Sequence, residues 1–527
     1  MAYHTTAYLI VFLPITACIY QLARRDTRRY VLLLAGYYFF WTFSKMLLFF
    51  LIGTSVFTHY ICLWMTRIRE HKLYSAAGER EKPHQKTERN KEEKKVLIFG
   101  ILVLLGVLGY LKYHNFFVSN WNYIADRIGF VSTLQEKEML IPIGISFYTL
   151  QAIGYMTDVY WNKTEVYPHP GKIALFLGFF PQIMEGPISS YAQTADQLWK
   201  GDPIRLENLS TGSVRILWGL FKKLIIADRL YVLVGTIYDR PEDYNGAAIA
   251  VAAAAYTIQL YMEFSGCMDI VIGSGKVFGV QLPENFRQPF FAESAADFWR
   301  RWHITLGVWF RTYVFYPISV SRTMKKWTKF ARHRFGKNTA RIGTMAMALF
   351  PVWLCNGLWH GPKWNYIFYG MYYFVILLLE AAIEPVSDSL LSKYMIRKEA
   401  KWIRALRIAK TWIIIITGEL FFRAENLGTG IKMFISMFNG FSLRQLNRGF
   451  FLGMGLDKAD YIAILAGCVL VLAVDIIKEK KLLGEEGIRK LCLPVRWALY
   501  YSLLFSVILF GAYGIGYDTV DLIYAGF

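Results

Sequence analysis

Charged residues are scarce in this chain of 527 residues. They make up 19% of it, whereas 55% of the residues are hydrophobic and 17% are aromatic. An ordinary soluble domain is roughly 25% charged. Long apolar runs recur, including those that begin at Tyr30, Val96, Thr411 and Tyr461. Several runs reach the roughly 20 residues that a helix needs to cross a hydrocarbon core, and others fall short. The pattern predicts an all-α, polytopic membrane protein with about 11–13 membrane helices plus re-entrant segments.

Several motifs of soluble enzymes are also missing. The six cysteines form no CxxC pair, so no zinc site or disulfide framework is expected, and no metal ligands are predicted. There is no HExxH, and "IGISFYT" lacks the second glycine of a nucleophile elbow. "GSGKVFG" fails as a phosphate loop because Val277 replaces the needed Ser or Thr. It fails as GxGxxG because Phe278 stands in place of the third glycine.

The excess of basic residues has a clear position along the chain. Lys and Arg number 59 against 39 Asp and Glu, for a formal net charge of +20. The basic clusters lie between apolar runs, at residues 23–29, 67–95, 321–341, 393–410 and 478–496. This distribution is typical of cytoplasmic loops and argues against nucleic acid as a partner. Anionic lipid headgroups of the membrane or a partner protein are alternative uses of the same charge.

The charge pattern also predicts the topology in the cell membrane. The first cluster follows the first apolar run, so this run is expected to be an uncleaved span with the N-terminus outside. An even number of crossings separates the clusters that end at Arg341 and begin at Lys393. His360 then falls at a turn between two spans, remote from the basic loops. The last run, from Trp497, is expected to leave the C-terminus outside.

Two apolar stretches carry Pro and Gly in their middle. They read "IPIGISFYTLQAIGYMTDVY" and "LFLGFFPQIMEGPISS". Such breaks persist in a bilayer only where protein buries them or where they line a cavity. We expect irregular or re-entrant elements here that shape a site. The whole chain, 1–527, is predicted to be one membrane domain, with N-terminal helices at 1–139, a catalytic core at 140–385 and C-terminal helices at 386–527.

Two histidines lie in apolar, Trp-rich sequence. His360 stands in "GLWHGPKW", and His303 follows Asp297, Arg300 and Arg301 in "ADFWRRWHITLGVWFRTYVFYPI". Ionisable groups at membrane depth usually face a cavity or each other, and neutral imidazole is a good general base near pH 7. A structural and a functional reading of these histidines have about equal weight from the sequence alone.

A second polar group precedes them. Glu263 and Asp269 lie within "QLYMEFSGCMDIVIG", and Asn285 stands between two prolines in "LPENFRQPF". One interpretation is polar packing inside the membrane with a loop bounded by prolines. The other is the lining of a donor channel that leads to Asp297 and His303.

Taken in order, these segments resemble the bacterial membrane-bound O-acyltransferase family. The resemblance is to its alginate O-acetyltransferase-like branch, with teichoic acid D-alanyltransferases as a related branch. It is carried by "IPIGISFYTLQAIGY", "FFPQIMEGPISSY", "ILWGLFKKLIIADRL", "DFWRRWHITLGVWF" and "GLWHGPKWNYIFYGMYY", together with the two segments around Glu263 and Asn285. The resemblance implies that the helices surround a membrane-spanning tunnel, through which an acyl group is transferred to a hydroxyl. It also implies His360 as the expected catalytic residue and His303 as its deeper partner. The residues expected to bind substrate are Asp297, Arg300, Arg301, Trp302, Asn356, Trp359, Asn285, Glu263 and Asp269.

The resemblance further implies the reaction partners. No permanently bound cofactor is expected. The donor is an acyl thioester, either acetyl-CoA or the phosphopantetheine of an acyl carrier, and the acceptor is a cell-envelope polysaccharide, reached directly or through an extracytoplasmic partner. The basic segment 321–341 is either a dock for an acidic acyl-carrier protein or a plain cytoplasmic loop. D-alanyl transfer toward teichoic acid, a transporter and a non-catalytic scaffold are the alternatives.

Overall fold

The computed structural model describes residues 2–74, 83–130, 134–482, 487 and 490–513. All regular secondary structure within these ranges is helical, which confirms the all-α class. The α-helices in chain order are α1 Leu13–Leu22, α2 Arg25–Ser44, α3 Leu48–Tyr74, α4 Pro83–Arg127, α5 Ile145–Tyr160, α6 Gly171–Gly178, α7 Tyr191–Lys200, α8 Leu206–Leu220, α9 Asp228–Asp239, α10 Gly246–Val277, α11 Ala295–Arg301, α12 Ile304–Phe310, α13 Tyr316–Ser319, α14 Arg322–His360, α15 Trp364–Lys393, α16 Lys401–Arg423, α17 Leu427–Asn439, α18 Arg448–Leu452, α19 Lys458–Glu479 and α20 Leu493–Phe510.

Seven helical stretches among the described residues are long and apolar enough to cross a membrane. They are Arg25–Glu70, Asn90–Arg127, Gly246–Val277, Arg322–His360, Trp364–Lys393, Lys458–Glu479 and Leu493–Phe510. This is fewer than the predicted 11–13 membrane helices. Other apolar helices are short, as α5 is with 16 residues, or begin with several basic residues, as α16 does. The chain is a multi-pass membrane protein.

By contacts the chain divides into two compact units. One consists of Met1–Ser213 with Val271–Pro283, and the other of Val214–Ile270 with Glu284–Phe527. The predicted division at residues 139 and 385 stays a prediction. Both histidines of interest belong to the second unit.

The first unit contains a buried break of the kind that its sequence predicts. Helix α6 ends at Gly178, and residues 179–189 are buried without forming a helix. Two of their polar groups form hydrogen bonds within the protein: the Phe180 carbonyl accepts from the Tyr3 hydroxyl at 2.8 Å, and the Ser189 hydroxyl donates to Gln182 at 3.1 Å. Irregular backbone therefore survives here because protein surrounds it.

The basic segments predicted as loops are largely helical. Helix α4 begins at Pro83, so the charged stretch 83–95 is helical, while residues 75–82 of the predicted loop lie outside the described residues. The segment 321–341 forms the first half of α14, where the Ser321 hydroxyl accepts a hydrogen bond from the Met324 N–H at 3.2 Å. The segment is helical because Lys, Arg, Met and Ala are good helix formers and Ser321 caps the helix N-terminus. Its predicted cytoplasmic location stays a prediction.

Helix α14 also separates the basic cluster from His360. Gly336, at a φ of 82°, breaks its regular geometry within the basic half. From Arg341 to His360 the helix is about 28 Å long at about 1.5 Å per residue, close to the roughly 30 Å of a hydrocarbon core. His360 is its last residue, and α15 begins four positions later. The predicted turn at His360, at the end remote from the basic residues, is confirmed.

A proline in α15 is compensated by an arginine of α14. Pro385 has no N–H to donate to the Ala381 carbonyl four residues earlier. The Arg341 Nη2 atom donates to that carbonyl at 2.8 Å. The contact ties the basic end of α14 to α15 at the level where the span begins.

At the other end, glycines let α14 and α15 approach closely. A Cβ atom on Gly357 would stand 2.4 Å from the Tyr366 carbonyl oxygen, and one on Gly370 would stand 2.3 Å from the Trp353 carbonyl oxygen. Small residues allow this kind of backbone contact between membrane helices. These contacts lie within about two turns of His360 and fix the helix end that carries it.

We expect Gly357→Ala to lower the thermal midpoint of the detergent-solubilised protein, because its methyl group has to push α15 away, a destabilisation of about 1–3 kcal/mol. Gly343→Ala on the same helix is the matched control. Its Cβ would meet only Trp327 atoms at 3.8 Å and beyond, so its midpoint should stay or rise slightly. Equal midpoints for the two variants would contradict the close contact.

Candidate active site

His360 lies inside a box of aromatic rings at the end of α14. Its side chain is buried. Its ring stands nearly perpendicular to those of Phe422, with centroids 5.0 Å apart, and Tyr369, at 5.8 Å. The Trp359 indole lies at 4.9 Å. Edge-to-face contacts of this kind restrict the rotation of the imidazole, so its orientation is set by three neighbours from α14, α15 and α16.

His303 occupies a strained position between two short helices. It links α11 to α12 with a φ of 44° and a ψ of 50°, in the left-handed region that few residues other than glycine adopt. Strained backbone of this sort persists only where neighbours over-determine it. Asn285 is that neighbour: its backbone carbonyl accepts from the Ile304 N–H at 3.0 Å, and its side-chain Oδ1 accepts from the Thr305 N–H at 3.0 Å.

The same amide oxygen determines the tautomer of His303. Asn285 Oδ1 also accepts from the Thr305 hydroxyl at 2.9 Å, and it lies 3.3 Å from His303 Nδ1. A backbone N–H can only donate, so the group facing it is the oxygen of the amide. A hydrogen bond from His303 then requires the proton on Nδ1, and in the neutral ring Nε2 carries the lone pair.

The Trp359 indole joins the two histidines. Its ring centroid lies 5.4 Å from that of His303 and 4.9 Å from that of His360. Phe264 closes the other side of His303 at 4.9 Å. The two imidazoles, 57 positions apart in the sequence, are therefore neighbours of one side chain.

A cavity of about 1340 Å³ leads to this cluster from the basic end of α14. Its lining includes Trp299, His303 and Asn356 at the inner part, and residues from Met345 onward along α14. Met345 and Asn356 are about 16 Å apart along the helix axis, so the cavity follows half of the span. His360 lies one turn beyond Asn356 and is outside the lining, with Trp359 beside both imidazoles. His303 is thus the histidine of the pair that the cavity reaches.

The predicted arginines have different surroundings. Arg300 lines the cavity and is exposed, with Asp297 at 3.5 Å. Arg301 bonds to Asp297 at 3.1 Å and to Glu479 at 2.8 Å and is absent from the lining. Two further exposed arginines, Arg287 and Arg311, line the cavity. Among the described residues neither has a carboxylate within 4.0 Å. Arg301 and Asp297 thus hold α11 to α19. Four other arginines line the cavity, namely Arg287, Arg300, Arg311 and Arg407, and Arg407 pairs with Glu293 at 3.6 Å.

Three more predicted site residues lie in packed surroundings. Trp302 is buried against Phe298, at 5.3 Å, and Phe286, at 5.0 Å. The other two, Glu263 and Asp269, form buried ion pairs with the π-helix Phe221–Ala227. Lys223 bridges Asp228, at 2.6 Å, and Glu263, at 3.3 Å, while Lys222 lies 2.5 Å and Arg215 3.0 Å from Asp269. None of the three lines the large cavity, and these contacts favour the packing interpretation.

Sequence reasoning missed several residues around the site. Trp299 and Arg287 line the cavity, and Tyr369 and Phe422 surround His360. One overlooked signal was available: Glu419 is a single carboxylate within the apolar run "TWIIIITGELFF", and intramembrane carboxylates are functional candidates by default. The aromatic residues carried no such signal, because such residues are common throughout the chain.

Comparison with known proteins agrees with this architecture. The family model of the membrane-bound O-acyltransferases matches residues 162–421. The probable alginate O-acetylase of Pseudomonas aeruginosa is 33% identical over 458 residues, 86% of this chain and 78% of the relative. The peptidoglycan O-acetyltransferase of Helicobacter pylori is 27% identical over 85% of this chain and 82% of the relative. The teichoic acid D-alanyltransferase of Bacillus subtilis is 27% identical over 54% of this chain and 69% of the relative.

The chain belongs to the membrane-bound O-acyltransferase family. It is an O-acyltransferase, and both motif histidines lie in the region that the family model matches.

We expect Asn285→Ala to lower the rate of acyl transfer about tenfold or more, because the Thr305 N–H loses its acceptor and the turn that holds His303 loosens, a cost of about 1–3 kcal/mol. Asn426→Ala is the matched control, since exposed Asn426 likewise accepts a backbone N–H, from Thr429 at 3.0 Å, but remote from His303 in sequence. Acyl transfer by membranes carrying each variant, normalised to protein amount, is the measurement. Unchanged transfer in the first variant would refute the role of Asn285.

Proposed function

We propose that this enzyme transfers an acetyl group from a thioester donor to a hydroxyl of a cell-envelope polysaccharide. Relatives named as an alginate O-acetylase and a peptidoglycan O-acetyltransferase each match more than four fifths of this chain. The teichoic acid D-alanyltransferase match covers 54% of it. The breadth of the match supports acetyl transfer over D-alanyl transfer.

One observation carries the mechanism: the two buried imidazoles flank a single indole, and one of them, His303, lines a cavity of about 1340 Å³. The cavity gives a donor a path from the basic end of α14 to His303 and Asn356. His360, one turn further along, is at the opposite end of the span from the basic residues. A donor and an acceptor that approach from opposite sides of the membrane would meet at Trp359.

The chemistry follows from the imidazole of His360. As the acceptor hydroxyl attacks the thioester carbonyl, His360 takes its proton; a C–O bond forms and the C–S bond breaks. The thiolate leaves and recovers the proton, so the products are an ester and a free thiol. General-base catalysis of this kind contributes about 10²- to 10⁴-fold. His303 with Nδ1–H held by Asn285 offers Nε2 toward the reaction, which suits a role in orienting the donor.

Three guanidinium groups suit an anionic donor. Arg287, Arg300 and Arg311 line the cavity, and arginine binds phosphate through paired, charge-assisted hydrogen bonds. Acetyl-CoA and the phosphopantetheine of an acyl carrier both carry phosphate at the end remote from the thioester. The same groups would face either donor.

The surroundings suggest the partners and the orientation. The basic half of α14, residues 322–341, faces the side from which the donor enters, and it would attract anionic lipid headgroups or an acidic acyl-carrier protein. In the cell membrane this side is cytoplasmic by the positive-inside rule, which puts His360 toward the outside. Both termini are then outside, and the acceptor is the polysaccharide itself or a partner protein that passes the acetyl group on.

We expect His360→Ala to abolish envelope acylation, to below about one hundredth of the wild-type amount, because the acceptor hydroxyl loses its base. Acyl groups released from envelope polysaccharide by mild alkali are identified by mass spectrometry, which also separates acetate from D-alanine. His333→Ala changes an exposed histidine of the same helix and should be without effect. Both variants should keep the wild-type expression and thermal midpoint. Retained acylation in His360→Ala would contradict the catalytic role of His360.

We expect Arg287→Gln, Arg300→Gln and Arg311→Gln each to raise the KM for acetyl-CoA about two- to fivefold, with a smaller change in kcat. The effect is modest because exposed charges are screened, and it should shrink as salt concentration rises. Exposed Arg444, outside the cavity lining, gives the control Arg444→Gln. An unchanged KM in the triple arginine variant would exclude these residues from donor binding.

A further inference from the structure

A buried carboxyl group that the mechanism leaves without a task lies close to the catalytic histidine. Glu419, on α16, is 1% exposed and is surrounded by the buried residues Gly418, Leu420 and Phe421. Among the described residues no basic side chain comes within 4.0 Å of its carboxylate. A carboxyl group without a cation in an apolar interior is expensive to keep, so its presence calls for a compensating function.

A hydrogen bond from Tyr369 connects Glu419 to the surroundings of His360. The Tyr369 hydroxyl donates to Glu419 Oε1 at 3.0 Å. Tyr369 is itself buried, and its ring stands perpendicular to the His360 imidazole, with centroids 5.8 Å apart. The carboxyl group of α16 therefore holds a side chain of α15 that in turn contacts the last residue of α14.

Tyr369 differs from the other walls of the aromatic box. Phe422 has no polar atom in its side chain, and Trp359 precedes His360 on the same helix. Tyr369 is held at both ends, by its own backbone and by the bond from its hydroxyl to Glu419. Phe422, three residues after Glu419 on α16, contacts both Tyr369 at 5.0 Å and His360 at 5.0 Å. Helix α16 thus contributes Phe422 to the box directly and holds Tyr369 through Glu419.

We propose that Glu419 is a positioning residue for His360, acting through the hydrogen bond that it accepts from Tyr369. What the role requires is an acceptor oxygen at this point. A glutamine keeps that oxygen, whereas a leucine of similar volume removes it. Phenylalanine at position 369 removes the donor and leaves the ring. This inference rests on the proposed catalytic role of His360.

The first test compares Glu419→Gln, Glu419→Leu, Tyr369→Phe and the double variant Tyr369→Phe with Glu419→Leu. Labelled acetate incorporated into the cell envelope is measured per amount of protein. We expect Glu419→Leu and Tyr369→Phe each to lower the rate about tenfold and Glu419→Gln to stay within about threefold of wild type. The double variant should be no worse than Glu419→Leu alone, because both changes break the same bond.

Tyr372→Phe is the matched control. Tyr372 lies one turn further along α15, and its hydroxyl also donates to α16, to the Ile414 carbonyl at 2.9 Å. This variant loses an equivalent link between the same two helices and should keep its activity. If Tyr372→Phe loses as much activity as Tyr369→Phe, then any broken link between α15 and α16 lowers the rate, and the proposal is overturned.

A second measurement is independent of the acyl reaction. Diethyl pyrocarbonate modifies accessible imidazoles, and the rate at His360 is followed in the purified full chain by peptide mass spectrometry. We expect this rate to rise at least threefold in Glu419→Leu and Tyr369→Phe and to stay unchanged in Glu419→Gln. Unchanged modification in the first two overturns the positioning role. A Glu419→Gln variant that is as deficient in acyl transfer as Glu419→Leu also overturns it, because the carboxyl group itself would then be required. Retained acylation in His360→Ala would instead remove the proposed catalytic role.

Discussion

The contact of the Trp359 indole with two imidazoles is the constraint on which the rest of the site depends. It requires the end of α14 to lie beside the turn between α11 and α12, although the two are more than fifty residues apart in sequence. That requirement explains the glycines where α14 meets α15, because a bulkier residue at Gly357 would displace the helix end that carries Trp359 and His360. It explains the fixed turn at His303 as well, since an imidazole on a flexible loop would not keep to one face of the indole.

The polar groups buried in this apolar chain have partners of different kinds. Asp269 and Glu263 are neutralised by lysines of a π-helix and by Arg215, and these ion pairs bind α10 to its neighbours. These contacts are internal to the protein. The side-chain oxygen of Asn285 accepts two hydrogen bonds from Thr305 at the His303 turn. Arg287 and Arg311 are the contrasting case, because they line the cavity and, among the described residues, neither has a carboxylate within 4.0 Å.

The sequence predicted the features that depend on composition and spacing. Long apolar runs predicted the all-α class, and basic clusters predicted the position of His360 at the end of a span. The prolines and glycines around residue 181 predicted a break in regular helix, which the structure buries. Predictions that needed three-dimensional contacts fared differently. Charge alone predicts a loop at residues 321–341, whereas the helix propensity of the same residues favours the helix that the structure has. Asp269 and Arg301 are predicted site residues, and their ion-pair partners, Lys222 and Glu479, lie tens to hundreds of positions away in the sequence. No local pattern could show that those charges were already satisfied.

The same reasoning explains why Glu419 went unnoticed while His360 stood out. A histidine between Trp and Gly at the turn of a hairpin is conspicuous, because the charge pattern places it. A carboxylate in the middle of an apolar run is equally unusual, yet its meaning depends on what faces it. Tyr369 lies fifty residues earlier and reads as one more aromatic among thirty-four tyrosines. Only when α15 and α16 are packed together does that hydroxyl meet the carboxyl, and only then does the third wall around His360 acquire a fixed position. Catalytic geometry in this chain therefore depends on an acceptor oxygen that the apolar surroundings make expensive, which is a reason to look for function in it.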